Sequence, residues 1–226
     1  QMIADDETRR ALAFTRELGV ALPEDYEVRI EHFYAELLKA NDECNLTRIT
    51  DREDFLLKHV VDSLLAPLAF PALATETLQI ADVGCGGGIP GIPLALAFPG
   101  LACTEIDSVA KKIERVDRFL RELGLSSSRA IAGRARELAR QDEHLGAYDV
   151  VIARAVSETP KLIKECRRLL RPGGALLAYK TPEQLESERT LVEREAKKAK
   201  LSVRTSDIYR LPQDAGSRQF WILASD

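Results

Sequence analysis

The run Asp82-Val83-Gly84-Cys85-Gly86-Gly87-Gly88-Ile89-Pro90-Gly91 constrains this chain more than any other stretch, with five glycines in ten residues between the apolar 78–83 and a helix-forming 90–98. Glycine has no Cβ, so such a turn brings backbone N–H groups close to a ligand at the start of a helix. The strand–turn–helix unit then repeats. The pattern predicts a second strand over 101–106 and a helix over 109–123 stopped by Gly124, then a weak strand over 130–132 with a short helix after it. A fourth strand is expected over 148–153, followed by a helix opened by Pro160 and ending at Leu170, where a first-turn proline is tolerated. Arg171-Pro172-Gly173-Gly174 reads as a turn before a fifth strand over 175–179, and a charged helix spans 183–200. Two closing strands, 202–210 and 219–224, have no helix between them and are expected to pair antiparallel at a sheet edge. Strands and helices alternating in this way imply an α/β fold with a doubly wound, mostly parallel sheet.

Residues 5–69 show only helical periodicity, for example Ile30, Phe33, Tyr34, Leu37 and Leu38 on one stripe. The reading is therefore a helical extension over 1–70 and an α/β domain over 71–226. The longest uncharged run, Val83 to Thr104, has 22 residues, but nine are glycine or proline, which a lipid-facing helix carries only at a cost. No basic-then-apolar leader is visible after Gln1. Four separated cysteines (Cys44, Cys85, Cys103, Cys166) offer neither a CxxC pair nor a Cys/His cluster. A cytoplasmic protein without metal or membrane contact is expected, and no heptad seam argues against a monomer.

The net charge of −4 is unevenly spread, and residues 111–140 carry nine basic and four acidic side chains. Lys111, Lys112, Arg115 and Arg118 head this block, which suits a phosphate backbone even in an acidic protein. Interleaved Glu114, Asp117 and Glu122 equally suit a solvated helix face laced by ion pairs.

Two fingerprints overlap in the glycine loop. Gly86 to Gly91 satisfies GxGxxG, with Asp107 about 20 residues on, as dinucleotide sites prefer. Asp82 to Gly88 also satisfies D-x-G-x-G-x-G, which resembles the first motif of S-adenosylmethionine methyltransferases. Three features favour the second: Asp82 ends the first strand, where it would order the cofactor's ammonium end; Leu169 to Gly174 resembles the turn before a methyltransferase fifth strand; and the closing antiparallel pair fits that fold. Asp107 would accept from both ribose hydroxyls in either case. The acceptor is narrowed by absences: no N/D-P-P-Y/F tetrapeptide for exocyclic amines, and no Pro-Cys or Thr-Cys dipeptide for attack on a pyrimidine ring. Cys85, inside the loop, reads as packing.

Asn45-Leu46-Thr47, Lys58-His59-Val60-Val61-Asp62-Ser63-Leu64, the loop from Asp82 to Gly91, and Ala153-Arg154-Ala155-Val156 occur in this order. The set resembles the bacterial glucose-inhibited division protein B family, small-subunit ribosomal RNA guanine-N7 methyltransferases, from about residue 25 onward. The resemblance implies a Rossmann-like class I methyltransferase fold, with a seven-stranded sheet, an antiparallel last strand and an N-terminal helical extension. It implies methyl transfer from S-adenosylmethionine to N7 of one guanine in the 530 loop of 16S rRNA, on the 30S subunit or its precursor. Carried over by position, the cofactor lies on Asp82, Gly84, Gly86, Gly88, Ile89 and Asp107. Ala135 and Arg136 flank its adenine, Arg136 through its backbone. Arg154 matches a cofactor-site arginine, with a surface ion pair as the plainer alternative. His59 and Asp62 share a helical face, either as a knot pinning the extension to the sheet or as substrate contacts. No general base is assigned; Arg154 and His59 are expected to position. Lys180 and Arg218 join the basic helix as expected RNA contacts. The chain departs from the family pattern with Cys85-Gly86-Gly87-Gly88-Ile89 in place of Thr-Gly-Ala-Gly-Phe, and with Thr181 in place of glycine after Lys180. A small-molecule methyltransferase and a non-catalytic nucleotide-binding ribosome-assembly factor are the competing readings.

Overall fold

A computed structural model of the protein describes residues 6–225. Its main sheet runs in the order β3 (Arg129–Ala132), β2 (Leu101–Asp107), β1 (Leu78–Val83), β4 (Tyr148–Arg154), β5 (Leu170–Lys180), β8 (Ser217–Ser225), β6 (Leu201–Thr205), and the two-residue β7 (Tyr209–Arg210) pairs with the start of β8. Strands β1 to β5 are parallel, and β8 runs antiparallel to both β5 and β6. The chain goes from β1 outward to β2 and β3, then returns to place β4 on the other side of β1. That reversal opens a crevice at the carboxyl ends of β1 and β4.

Strand periodicity divides the core into two layers. Ile80, Val150, Ile152 and Leu177 face α6 (Gly91–Ala97), α7 (Ala110–Glu122) and the N-terminal helices α1 (Asp6–Glu17) and α2 (Tyr26–Cys44). Ala81, Val151, Ala153 and Leu176 face α8 (Ala135–Leu138), α9 (Thr159–Cys166) and α10 (Pro182–Ala199). Central strands buried on both faces need such continuous apolar runs. The N-terminal helices share the first layer: Phe33 packs its ring against Phe55 and Phe119, and the Tyr26 hydroxyl donates to Pro93 O at 3.0 Å.

The connection from α2 to the sheet is less regular than its periodicity suggests. A short α3 (Arg52–Phe55) passes directly into a π-helical turn, Leu56–Val61, before the brief α4 (Ala66–Ala69) and α5 (Ala72–Thr75). The wider π turn leaves backbone carbonyls for side chains to use. Two details correct the sequence reading. The expected turn Arg171–Gly174 lies inside β5, because Leu170 already pairs with Tyr148 and the intervening residues bulge before Ala175 pairs with Val150. The expected strand 202–210 is two pieces, β6 and β7, broken where Ser206 exchanges hydrogen bonds with Phe220. Thr181 causes no disruption: it caps α10, accepting from the Gln184 N–H at 3.2 Å while Gln184 Oε1 accepts from the Thr181 N–H at 3.0 Å.

Candidate active site

A cavity of about 710 Å³ occupies the crevice and is lined by the glycine loop, the ends of β2 and β4, and the 133–136 turn. That size lies within the usual range for small-molecule sites. Gly86 holds φ +55°, and a Cβ there would meet nothing nearer than Leu46 O at 3.8 Å, so the loop offers bare backbone at this point. Asp107 fixes it: Oδ2 accepts from the Gly86 N–H at 3.0 Å and Oδ1 from the Val109 N–H at 2.9 Å. Each oxygen keeps a further lone pair for a ligand hydroxyl.

Of the expected cofactor residues, Gly84, Gly86, Ile89, Asp107, Ala135, Arg136 and Arg154 line this cavity. Asp82 and Gly88 are not on its wall. Asp82 is only 1% exposed, with Oδ2 accepting from the Gly91 N–H at 2.8 Å, so it pins the start of α6 beneath the loop instead of facing an ammonium group. Beside it, in register on β2, lies the fully buried Glu105, whose Oε1 accepts from Cys103 Sγ at 3.3 Å. Burial pushes Asp82 up to about 6, against hydrogen bonds from Gly91 and Glu105 that lower it, and pushes Glu105 well above its ordinary value, with the Asp82 charge raising it further. Gly91 must be glycine here, since a Cβ would stand 2.0 Å from Glu105 Oε1. Cys85 is buried and its thiol is pushed well up by burial and the nearby carboxylates, which fits packing and not nucleophilic attack.

The wall facing the glycine loop brings three separated sequence motifs together. Arg154, at the end of β4, donates from Nη1 to Lys58 O at 2.7 Å and to Asp62 Oδ2 at 3.0 Å. Its Nη2 lies 2.8 Å from His59 Nδ1. A guanidinium only donates, so Nδ1 accepts, and Nε2 carries the proton toward Thr47 Oγ1 at 2.9 Å. Burial, with Arg154 adjacent, holds His59 down at about 4, so the ring is neutral near pH 7. Asp62, fully buried, also accepts from Arg218 Nε at 2.6 Å and Nη2 at 3.0 Å. The Tyr179 hydroxyl donates to Ser63 O at 2.8 Å, and the Arg218 guanidinium lies 5.9 Å from that ring's centre. His59 and Asp62 thus form the pinning knot, joining the extension to β4, β5 and β8, and the knot's Thr47, His59 and Arg154 are also cavity wall.

The expected RNA contacts fare unevenly. Lys180 is turned inward and 7% exposed, donating to Glu188 Oε1 at 2.9 Å and Ser157 O at 3.0 Å, while Glu188 also accepts from the Thr159 hydroxyl. Arg218 is committed to Asp62. On α7, Lys111 donates to Glu43 O at 2.7 Å, Arg115 pairs with Glu43, and Arg118 stands 3.9 Å from Glu122. Lys112 lines the cavity instead. Thr47, Val156 and Lys161 line it too, though sequence reasoning gave them no role, as does Arg134 from the basic block. Thr47 lay in plain view within the Asn-Leu-Thr motif.

The model of the GidB family, described as rRNA small subunit methyltransferase G, matches residues 27–215. This chain belongs to the GidB family. A ribosomal RNA small subunit methyltransferase G of Halalkalibacterium halodurans is 36% identical over 210 residues, 93% of this chain and 87% of that one. Solved structures agree on the fold. A SAM-dependent methyltransferase from Aquifex aeolicus superposes with a TM-score of 0.56 at 16% identity, covering 84% of this chain and 97% of that one. Aeropyrum pernix fibrillarin, solved with natively bound S-adenosyl-L-methionine, gives 0.54 at 17% identity over 71% of this chain and 72% of that one. The GidB motifs are thus the residues that meet at Arg154, and the GidB cofactor is S-adenosylmethionine. Among the described residues no helix is long and apolar enough to cross a membrane.

Proposed function

We propose that the protein transfers a methyl group from S-adenosylmethionine to N7 of one guanine in the 530 loop of 16S rRNA, acting on the 30S subunit or its precursor. The observation that carries this reading is the convergence of Thr47, His59 and Arg154 on the wall facing the glycine loop, with the buried Asp62 holding Arg154 from behind. The cavity residues fit the cofactor: bare backbone at Gly86, a carboxylate at Asp107 with lone pairs to spare, and Ala135 with Arg136 where the adenine would lie. Held by Gly86, Asp107, Ala135 and Arg136, S-adenosylmethionine would supply a methyl on positive sulfur, which the N7 lone pair would take as the C–S electron pair returned to sulfur and the positive charge passed to the purine.

No proton moves at N7, so the site needs no general base. His59, neutral and with Nδ1 occupied by Arg154, is a positioning residue. The knot's work is to hold the wall rigid, because near-attack alignment in a dry site supplies most of the acceleration such a transfer requires. The test is incubation with labelled cofactor and either 30S or 50S subunits from cells lacking the modification. Label confined to the 30S particle supports the reading. Cofactor binding without label in any rRNA would move the acceptor to a small molecule, and failure to bind cofactor would leave a non-catalytic assembly factor.

A further inference from the structure

Apart from Lys112 at the cavity wall, the cations of α7 are already taken up within the fold. Arg115, Arg118 and Arg121 pair with Glu43, Glu122 and Asp117, and Lys111 is held on a carbonyl. On the other side of the sheet α8 packs against α9 and the 3-10 turn Arg167–Leu169 that continues it. The inward faces there are apolar, with Leu138, Leu162, Ile163, Cys166 and Leu169 buried. The outward faces carry Arg134, Arg136, Arg140, Arg167 and Arg168, all exposed. None of these five makes an ion pair or a side-chain hydrogen bond among the described residues. Glu137 and Glu165 are the acidic side chains on the same two helices. Arg134 and Arg136 stand at the cavity wall with Lys161, and Arg168 lies seven residues beyond Lys161, about 10 Å along the helix at ~1.5 Å per residue.

We infer that the α8–α9 arginine face is the phosphate-binding surface, taking the RNA strand that flanks the target guanine as it leaves the cavity. The inference rests on the RNA reading above. Arginines already paired within the fold gain little by exchanging carboxylate for phosphate, whereas unpaired exposed arginines release RNA counterions at no internal loss. A span of about 10 Å matches roughly three stacked nucleotides at ~3.4 Å each.

The test measures rRNA binding to the full chain from 50 to 200 mM salt, for wild type, Arg140→Gln/Arg167→Gln/Arg168→Gln, and the rival Arg118→Gln/Arg121→Gln. Cofactor affinity, read in parallel, checks folding, and Arg134 and Arg136 are left intact because they line the cofactor cavity. A triple Arg9→Gln/Arg10→Gln/Arg16→Gln on α1 makes the same charge change elsewhere. Each lost phosphate contact lowers the log–log salt slope by about 0.7–0.9, so across that range wild-type affinity should fall about 20- to 40-fold more steeply than that of the α8–α9 triple. The α1 triple should keep the wild-type slope. An unchanged slope in the α8–α9 triple, or the larger loss in the α7 pair, overturns the inference while leaving the RNA reading intact. Wild type with no salt-dependent rRNA binding overturns both. If the triple fails to fold, Arg167→Gln and Arg168→Gln singly carry the same test at about 0.7–0.9 each.

Discussion

Asp62→Asn removes the one anion between two guanidinium groups that are only 13% and 17% exposed. Asp62 accepts three charge-assisted hydrogen bonds, from Arg154 Nη1 and from Arg218 Nε and Nη2. Asparagine keeps one oxygen but turns an NH2 toward donors that it cannot satisfy, and it leaves two cations facing each other out of water. Breaking a buried pair by removing one partner costs about 3–5 kcal/mol. Partial access of both arginines to solvent puts this site at the lower end, about 3 kcal/mol. For a chain of this size that is a fall in Tm of about 6–12 °C, at ~2–4 °C per kcal/mol. Arg218→Gln alone should cost less, about 2 kcal/mol, because Asp62 retains Arg154. The double variant should lie at least about 1 kcal/mol below the sum, since removing Arg218 relieves the like-charge contact created by Asp62→Asn. Urea and thermal unfolding of the four proteins measure all of this. A single-variant loss below about 1 kcal/mol, or strict additivity, would refute the knot as a coupled unit.

Titration of His59 gives a signed prediction: its folded pKa is depressed from 6.5 to about 4, so its contribution is whole above pH 6.5 and is lost as pH falls toward 4. The loss reaches about 3 kcal/mol; relative to His59→Asn, wild type should weaken by that much over this window in pH-dependent unfolding, and parallel curves would count against a buried neutral ring. Glu105 has the opposite sign, its folded pKa being raised, so stability is lost as pH rises above the ordinary carboxylate range. Glu105→Gln should therefore raise Tm at pH 8 and flatten its pH dependence, whereas a lower Tm at pH 8 would contradict a protonated Glu105. Gly86→Ala forces an alanine to φ +55° for about 1–2 kcal/mol and puts a methyl into the ligand space; calorimetry should show cofactor affinity down at least about tenfold, and unchanged affinity would move the cofactor elsewhere. Gly91→Ala drives a Cβ to 2.0 Å from Glu105 Oε1, so it should lower stability more than Gly86→Ala does, a ranking that thermal melts settle.

Legibility in the sequence followed the range of the interaction. The glycine loop, Asp107 and the strand–helix alternation are short-range patterns, and each lies where its spacing placed it. The knot is not of that kind: residues 47, 59, 62, 154 and 218 meet only once the reversal at β1 and β4 and the antiparallel β8 have brought them together. Motif recognition marked four of these residues, but it could not show that they bind one another. Lys180 and Arg218 show the complementary failure. A sequence displays a cation without its partner, and Glu188 and Asp62 absorb both charges. The neighbour of Asp82 was hidden for a similar reason, because Glu105 becomes adjacent only through strand register. The basic block on α7 looked like a phosphate site because its pairing with Glu43 crosses from a helix far away in sequence.

The most direct test of the account is base-level mapping of the methyl group after reaction with unmodified 30S subunits, by strand cleavage specific for 7-methylguanine. One cleavage site is expected, at a guanine of the 530 loop, lost in Arg154→Ala and unaffected in rate between pH 6 and 8 because no base is deprotonated. Label at an exocyclic amine, a ribose hydroxyl or several scattered guanines would contradict it.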